Sequence, residues 1–510
     1  MLVSSLSRFD MGIVSRRGFV SSSLWGLPLW AQNAGALAEA RAHENAGRDK
    51  QAVEAYRRAA TLQPDSGDAW EGLVRSLIAD RRAEEAYQAL EEAKGKAPDS
   101  AALKVAEAHV LYRQGKLTAS EKLYLEVISS GVAHPEAWLG LARMHSIVSR
   151  AASAESIAER AYRLMPGSPR ARMFYADQLD DPAAHLAELE KALALLDPAT
   201  EMARRVRAHV EADRQMGSRN SRVLESAYRN YDVKLELLHA GPTRVRGFAF
   251  DVILNGKKKV RLLLDTGASG ISLRRNVAEK AGLTGLESTG RELRGIGDGK
   301  PISTYLYLAE SVSIGELRFR DYVVHVSEKV ADLDGLIGAD VFEQFLVTFD
   351  FPKLKMSLSP YGGLSGAPSR DERVDAQPTP GFSRVFRIGN HLLLPTFING
   401  KMATLFLIDS GANQNFISER AARQQTSVQS TSGRTSGVQG GLDKVFVADQ
   451  VTLTFAGLRH DNPRMPSFDF TSLSDGFGTE ISGLLGLPVL SQLRLTIDYR
   501  NGEVQMKYKD

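Results

Sequence analysis

Leu262-Leu263-Leu264-Asp265-Thr266-Gly267-Ala268-Ser269 and Phe406-Leu407-Ile408-Asp409-Ser410-Gly411-Ala412-Asn413 lie 144 residues apart in a chain of 510 and read as one pattern written twice. In each, an apolar run suited to a buried strand stops on Asp-Thr/Ser-Gly. A single such aspartate is commonplace, because many turn aspartates only cap backbone amides. Two in matched settings are what a reaction run by an acid/base pair of carboxyls requires.

The duplication extends outward from both stretches. Val252-Ile253-Leu254-Asn255-Gly256 corresponds to Thr396-Phe397-Ile398-Asn399-Gly400, a strand running into a tight hairpin turn. Ala278 and Ala422 occupy matching short helical stretches. Downstream, Asp334-Gly335-Leu336-Ile337-Gly338-Ala339 is mirrored by Ser482-Gly483-Leu484-Leu485-Gly486-Leu487, and Phe349-Asp350 by Ile497-Asp498. The offset there is 148, so the intervening loops differ by four residues. Pro360 to Gly381, between the copies, is rich in Pro, Gly, Ser and charge and reads as an exposed linker.

Each copy resembles a retropepsin-type aspartic protease unit, and the tandem resembles the bilobal arrangement of pepsin-like enzymes, over roughly residues 235 to 510. The resemblance implies a mainly-β bilobal fold, with lobe 1 at 221–360, a linker at 361–381 and lobe 2 at 382–510. It implies an aspartic endopeptidase acting on peptide or protein, with Asp265 and Asp409 as the catalytic pair and their acid and base roles open. Thr266 and Ser410 would hydrogen-bond across the interface, and Gly267 and Gly411 would bring amides to the carboxylates. Gly338 and Gly486 would let the neighbouring segment pass close behind. Flap candidates are Gly295 and Gly297 in the first copy and Gly437 and Gly440 in the second. Tyr305 lies outside the first glycine cluster, so the flap tyrosine of pepsin-like enzymes is not carried over. An alternative is a peptide-binding scaffold that has lost activity; the retained Asp, Thr/Ser and Gly in both copies argue against it. Pairing of each copy with a second chain also stays open.

The preceding segment has another character. From about Ala36 to Gly217 it is rich in Ala, Leu, Glu and Arg at helical spacing. Pro64, Pro98 and Pro166 lie on a 34-residue lattice, and Trp70-Glu71-Gly72 recurs as Trp138-Leu139-Gly140. Tyr56 maps to Tyr124, and Gly47 to Gly115 at the turn within a helix pair. The segment resembles tetratricopeptide repeats (residues 37–217), which implies protein interaction through a concave groove or a spacer role. The fold class expected is therefore multidomain α + β, a helical array followed by a bilobal mainly-β unit.

Composition removes competing chemistries. There is no cysteine, hence no thiol nucleophile or thiolate metal site. The ten histidines form no His-Glu-x-x-His, so neither metal nor other cofactor is expected. His325 and His391 read as structural, and Met402 and Met465 as packing residues. A net charge of +3 gives no reason to expect nucleic acid. At the N-terminus, Ser15-Arg16-Arg17-Gly18-Phe19-Val20 precedes an apolar run, Leu24 to Trp30, and the small residues Ala34-Gly35-Ala36. Residues 1–36 resemble a twin-arginine export signal, which implies a bacterial periplasmic location. Pro28 and several polar residues interrupt the run, so no stable membrane span is expected.

Overall fold

The computed structural model describes residues 29–97, 100–241, 245–286, 291–293, 302–328, 330, 333–362, 364, 366–368, 377–431, 435–437, 440–442 and 445–509. The Arg16-Arg17 pair and the flap candidates Gly295 and Gly297 lie outside these residues. The first helix, Leu29–Asn45, begins inside the stretch read as an export signal.

Paired helices follow the 34-residue period: Leu29–Asn45 with Asp49–Leu62, Gly67–Ala79 with Ala83–Lys94, Ala101–Arg113 with Leu117–Ser129, and Pro135–Ile147 with Ala151–Leu164. Pro169–Ala176, Pro182–Leu195 and Glu201–Met216 continue the array. The recurring glycine has a packing cause. A Cβ at Gly72 would stand 2.1 Å from the Tyr56 ring, and one at Gly140 2.3 Å from the Tyr124 ring. Each tyrosine thus fills the space a glycine leaves on the next helix. Gly47 and Gly115 turn the chain at φ 73° and 74°, conformations that suit glycine.

The array curls until its ends touch. Arg48 pairs with Asp197 at 2.8 Å, the Asp197 amide donates to Ala46, and Arg81 approaches Glu201 at 3.7 Å. Its inner face is taken up by its own side chains. Arg75, buried, binds Glu71 at 2.7 Å and also contacts Glu44, while Arg170 reaches Glu44 at 2.8 Å. His109 bridges Glu71 at 3.2 Å and the Tyr124 hydroxyl at 2.7 Å. The expected open groove is thereby occupied by an internal ion cluster, since buried charges need partners.

In the strand-rich half both copies fold alike. Strand Lys258–Leu264 runs parallel to Gly335–Ile337, which lies antiparallel to Ile271–Arg274. Ala403–Ile408, Gly483–Leu485 and Phe416–Ser418 repeat this in the second copy. The apolar-apolar-Gly segment is thus threaded between the strands on either side of the aspartate turn. Asn255 and Gly256 at φ 50° and 64°, and Asn399 and Gly400 at 51° and 70°, form the hairpin turns that Asn-Gly favours. Met402, expected to pack, is 62% exposed beside the second turn, where no neighbour covers it, whereas Met465 is buried.

The lobes meet within one chain. Leu346–Asp350 pairs antiparallel with Leu493–Asp498, Val347 opposite Ile497, inside a six-stranded sheet drawn from both lobes. The array is fused to this unit through a continuous apolar cluster. Val105, Tyr112, Tyr124, Leu141 and Met144 of the helices pack with Leu393, Leu405, Leu407, Phe416 and Leu484 of lobe 2. Thr479 Oγ1 donates to the Tyr112 carbonyl, the Glu480 amide donates to the Arg113 carbonyl, and Arg113 pairs with Asp475. Ala212 and Met216, ending the last helix, cover Leu286, Leu306 and Leu308 of lobe 1.

Candidate active site

Both aspartates stand where a parallel rung ends. The Asp265 amide donates to Ile337 and the Asp409 amide to Leu485, each at 2.9 Å. These bonds hold the backbone while the side chains enter the lobe interface. The hydroxyls one residue on lock the two turns together. Thr266 Oγ1 accepts the Ser410 amide at 2.9 Å and donates to the Ile408 carbonyl at 2.8 Å. Ser410 Oγ accepts the Thr266 amide at 3.0 Å and donates to the Leu264 carbonyl at 2.9 Å. Both side chains are buried, and these four hydrogen bonds satisfy them without water.

The carboxyls are therefore brought face to face. Asp265 Oδ1 accepts the Gly267 amide at 2.9 Å, and Asp409 Oδ1 accepts the Gly411 and Ala412 amides, each at 3.0 Å. The two carboxyls hydrogen-bond each other. Burial, then the neighbouring Asp265 charge, pushes Asp409 well above the carboxylate range. Burial also raises Asp265, opposed by the Gly267 amide and the bond from Asp409. Two such groups cannot both ionise cheaply, so the pair holds one shared proton.

The glycines are tailored to the opposite lobe. A Cβ on Gly411 would meet Asp265 Cγ at 2.5 Å, and one on Gly267 would meet Asp409 Cγ at 2.7 Å. Behind them, a Cβ on Gly338 would strike the Ala268 carbonyl at 2.6 Å and one on Gly486 the Gln414 carbonyl at 2.2 Å. Gly411→Ala must displace a carboxyl, and a misplacement near 1 Å costs about 10²-fold in rate. The expected result is at least that loss in peptide turnover with an unchanged circular dichroism spectrum; wild-type turnover would contradict it.

The flap candidates divide. Gly437 pairs with Gly440 in a two-stranded ladder of Thr435–Gly437 and Gly440–Leu442. In lobe 1, Arg291–Leu293 pairs with Ile302–Ile314, Leu293 opposite Ile302, on either side of the segment carrying Gly295 and Gly297.

Several residues beside the turns escaped sequence reasoning. Asp340, 1% exposed, accepts the Gly270 amide at 2.9 and 3.0 Å and the Asn390 amide group at 2.7 Å. Asn390 also donates to Ser269 Oγ at 2.7 Å, and Arg222 lies 3.4 Å from Asp340. His391, read as structural, faces the Gly267 carbonyl and the Asp265 charge. The signal available was a break in the duplication: Pro488 stands where Asp340 is expected at offset 148. In lobe 2, Asn415 instead accepts the Gly486 amide at 2.9 Å. Among the described residues, no group of His, Asp and Glu could hold a metal ion.

Residues 249–341 match the aspartyl protease family model, and residues 34–76 and 105–169 match tetratricopeptide repeat models. The chain thus carries tetratricopeptide repeats followed by an aspartyl-protease-like unit. The protease match covers lobe 1; lobe 2 is recognised through the duplicated residues. No curated protein matches the chain. Among solved structures, pilF of Pseudomonas aeruginosa is similar at 17% identity and TM-score 0.25, over 37% of this chain and 87% of that one. A thermophilic TPR protein of Thermus thermophilus, TTC0263, is similar at 17% identity and TM-score 0.28, over 36% of this chain and 99% of that one.

Proposed function

We propose that the chain is an aspartic endopeptidase whose two lobes contribute one carboxyl each to a water-activating dyad. The observation that carries this reading is the mutual hydrogen bond of Asp265 and Asp409, held by the reciprocal Thr266 and Ser410 bonds. The ionised carboxyl takes a proton from water as its oxygen attacks the peptide carbonyl carbon. The protonated carboxyl donates to the carbonyl oxygen as charge develops there. Collapse of the resulting diol breaks the C–N bond, with a proton passed to the departing amine. The repeat array is proposed to serve protein interaction. Because its inner face is filled by the Arg75 cluster, its outer helices are the surface on offer. Export through the Arg16-Arg17 segment is proposed on its resemblance to a twin-arginine signal.

The test is cleavage of a denatured protein mixture across pH, read by product mass, with and without pepstatin. One proton on the pair is required, so activity is expected to fall in acid, where both carboxyls are protonated. It is expected to fall again above the raised Asp409 value, where both are ionised. Pepstatin-insensitive cleavage, or none at any pH, would count against the reading.

A further inference from the structure

The two aspartate turns are duplicated, but their surroundings are not. His391 sits on the lobe 2 strand His391–Ile398, at the place its copy in lobe 1 gives to Gly247, 144 residues earlier. A Cβ built on Gly247 would lie 2.7 Å from the Leu263 side chain and 3.6 Å from the Ser410 carbonyl, so the space that His391 fills in lobe 2 is closed in lobe 1 by an apolar group that carries no proton. On the other side the imidazole stands between two main-chain acceptors. Its Nδ1 is 3.3 Å from the Ile388 carbonyl, and the ring faces the Gly267 carbonyl of lobe 1. The Phe477 ring packs edge-on against it, centroids 4.9 Å apart. The preceding residue, Asn390, ties Ser269 and Asp340 of lobe 1 to the same strand. Pro488 at the counterpart of Asp340 offers lobe 2 no equivalent tie.

We propose that Asn390 and His391 are positioning residues forming a one-sided clamp on the Asp265 turn, which makes Asp265 the ionised member of the pair and leaves the proton on Asp409. A neutral imidazole can donate to only one of the two carbonyls, whereas an imidazolium donates to both. The charged groups facing the ring are Asp265 and Asp340. A positive charge forming there favours the ionised form of Asp265, and nothing of the kind stands at Gly247 beside the Asp409 turn. Burial holds His391 below the ordinary histidine range, so the second proton arrives in acid. Asp265 is then the base that takes the water proton, and Asp409 the acid.

The clamp rests on the proteolytic reading, and the test separates the two. The pH profile of kcat/KM is measured for wild type, His391→Gln and His391→Ala. Glutamine keeps one donor and loses the charge. Its acidic limb is expected to move upward by up to about one pH unit with the plateau retained, at the low end of what a neighbouring charge does. Alanine is expected to show the same shift with a lower plateau. An acidic limb of His391→Gln superimposed on wild type overturns the proposal. A wild type that hydrolyses nothing counts against proteolysis, and the clamp is then read from the histidine NMR titration. With His391 assigned by its loss in His391→Gln, Asp265→Asn is expected to lower the pKa of His391, because the carboxylate that favours its imidazolium is gone. An unchanged His391 titration overturns the clamp.

Discussion

A chain cut back to residues 218–510 is expected to lose its folded monomeric state. The sheet of lobe 2 is apolar on both faces. Phe406 and Ile408 face the core shared with lobe 1, while Leu405 and Leu407 pack beneath the helices. Removing the array exposes Leu393, Leu405, Leu407, Phe416 and Leu484 together, and Leu286, Leu306 and Leu308 on lobe 1. Each large apolar side chain is worth about 1.5–3 kcal/mol when fully buried. A handful therefore rivals the whole net stability of a domain, about 5–15 kcal/mol. The Arg113–Asp475 pair and the Thr479 bond to the Tyr112 carbonyl are lost as well. Light scattering after size exclusion should show aggregates or no soluble protein, with recovery when residues 29–217 are co-expressed. A monomeric 218–510 fragment with an undiminished melting temperature would contradict this interface.

That dependence was partly written in the sequence. At the position matching buried Leu405, lobe 1 carries Arg261, which is exposed and paired with Glu236 at 2.9 Å. A strand apolar on both faces needs two covers, and the helices supply the second one to Ala403–Ile408 of lobe 2. The aspartate turns and the apolar-apolar-Gly segments were legible because their determinants are local and occur twice. The Trp-x-Gly period was legible for the same reason, each glycine facing one tyrosine. Asp340, Asn390 and His391 were not, since each occurs once and its partners lie far along the chain: Asp340 binds the Gly270 amide 70 residues away, and Asn390 reaches Ser269 and Asp340 only when the lobes come together. The closure of the array escaped for a similar cause. Arg48 and Asp197 are 149 residues apart, and no period relates them.

Replacing either aspartate by asparagine is expected to abolish hydrolysis, because each carboxyl has its own task. General acid or base assistance contributes about 10²–10⁴-fold, which sets the minimum loss for each variant. Asparagine can neither take a proton from water nor deliver one to the substrate. Stability is expected to move the other way. The folded-state affinity of Asp409 for its proton is raised, by burial and then by Asp265. Its contribution is fully present below the unfolded carboxylate range and is lost as pH rises through the raised folded value. Asp409→Asn removes that loss and can still donate to Asp265. The variant should therefore melt above wild type at neutral pH and converge with it in acid, as scanning calorimetry would record. A variant that melts below wild type at neutral pH would place the carboxyls too far apart to repel.

The central claim is that one site is built from both lobes, and single-residue replacement addresses it most directly. Peptide products from a denatured protein mixture are weighed after incubation with wild type, Asp265→Asn and Asp409→Asn at the optimal pH. The shared dyad predicts new termini from wild type and none from either variant. Cleavage at a wild-type rate by either variant would show that the two carboxyls do not work as a pair.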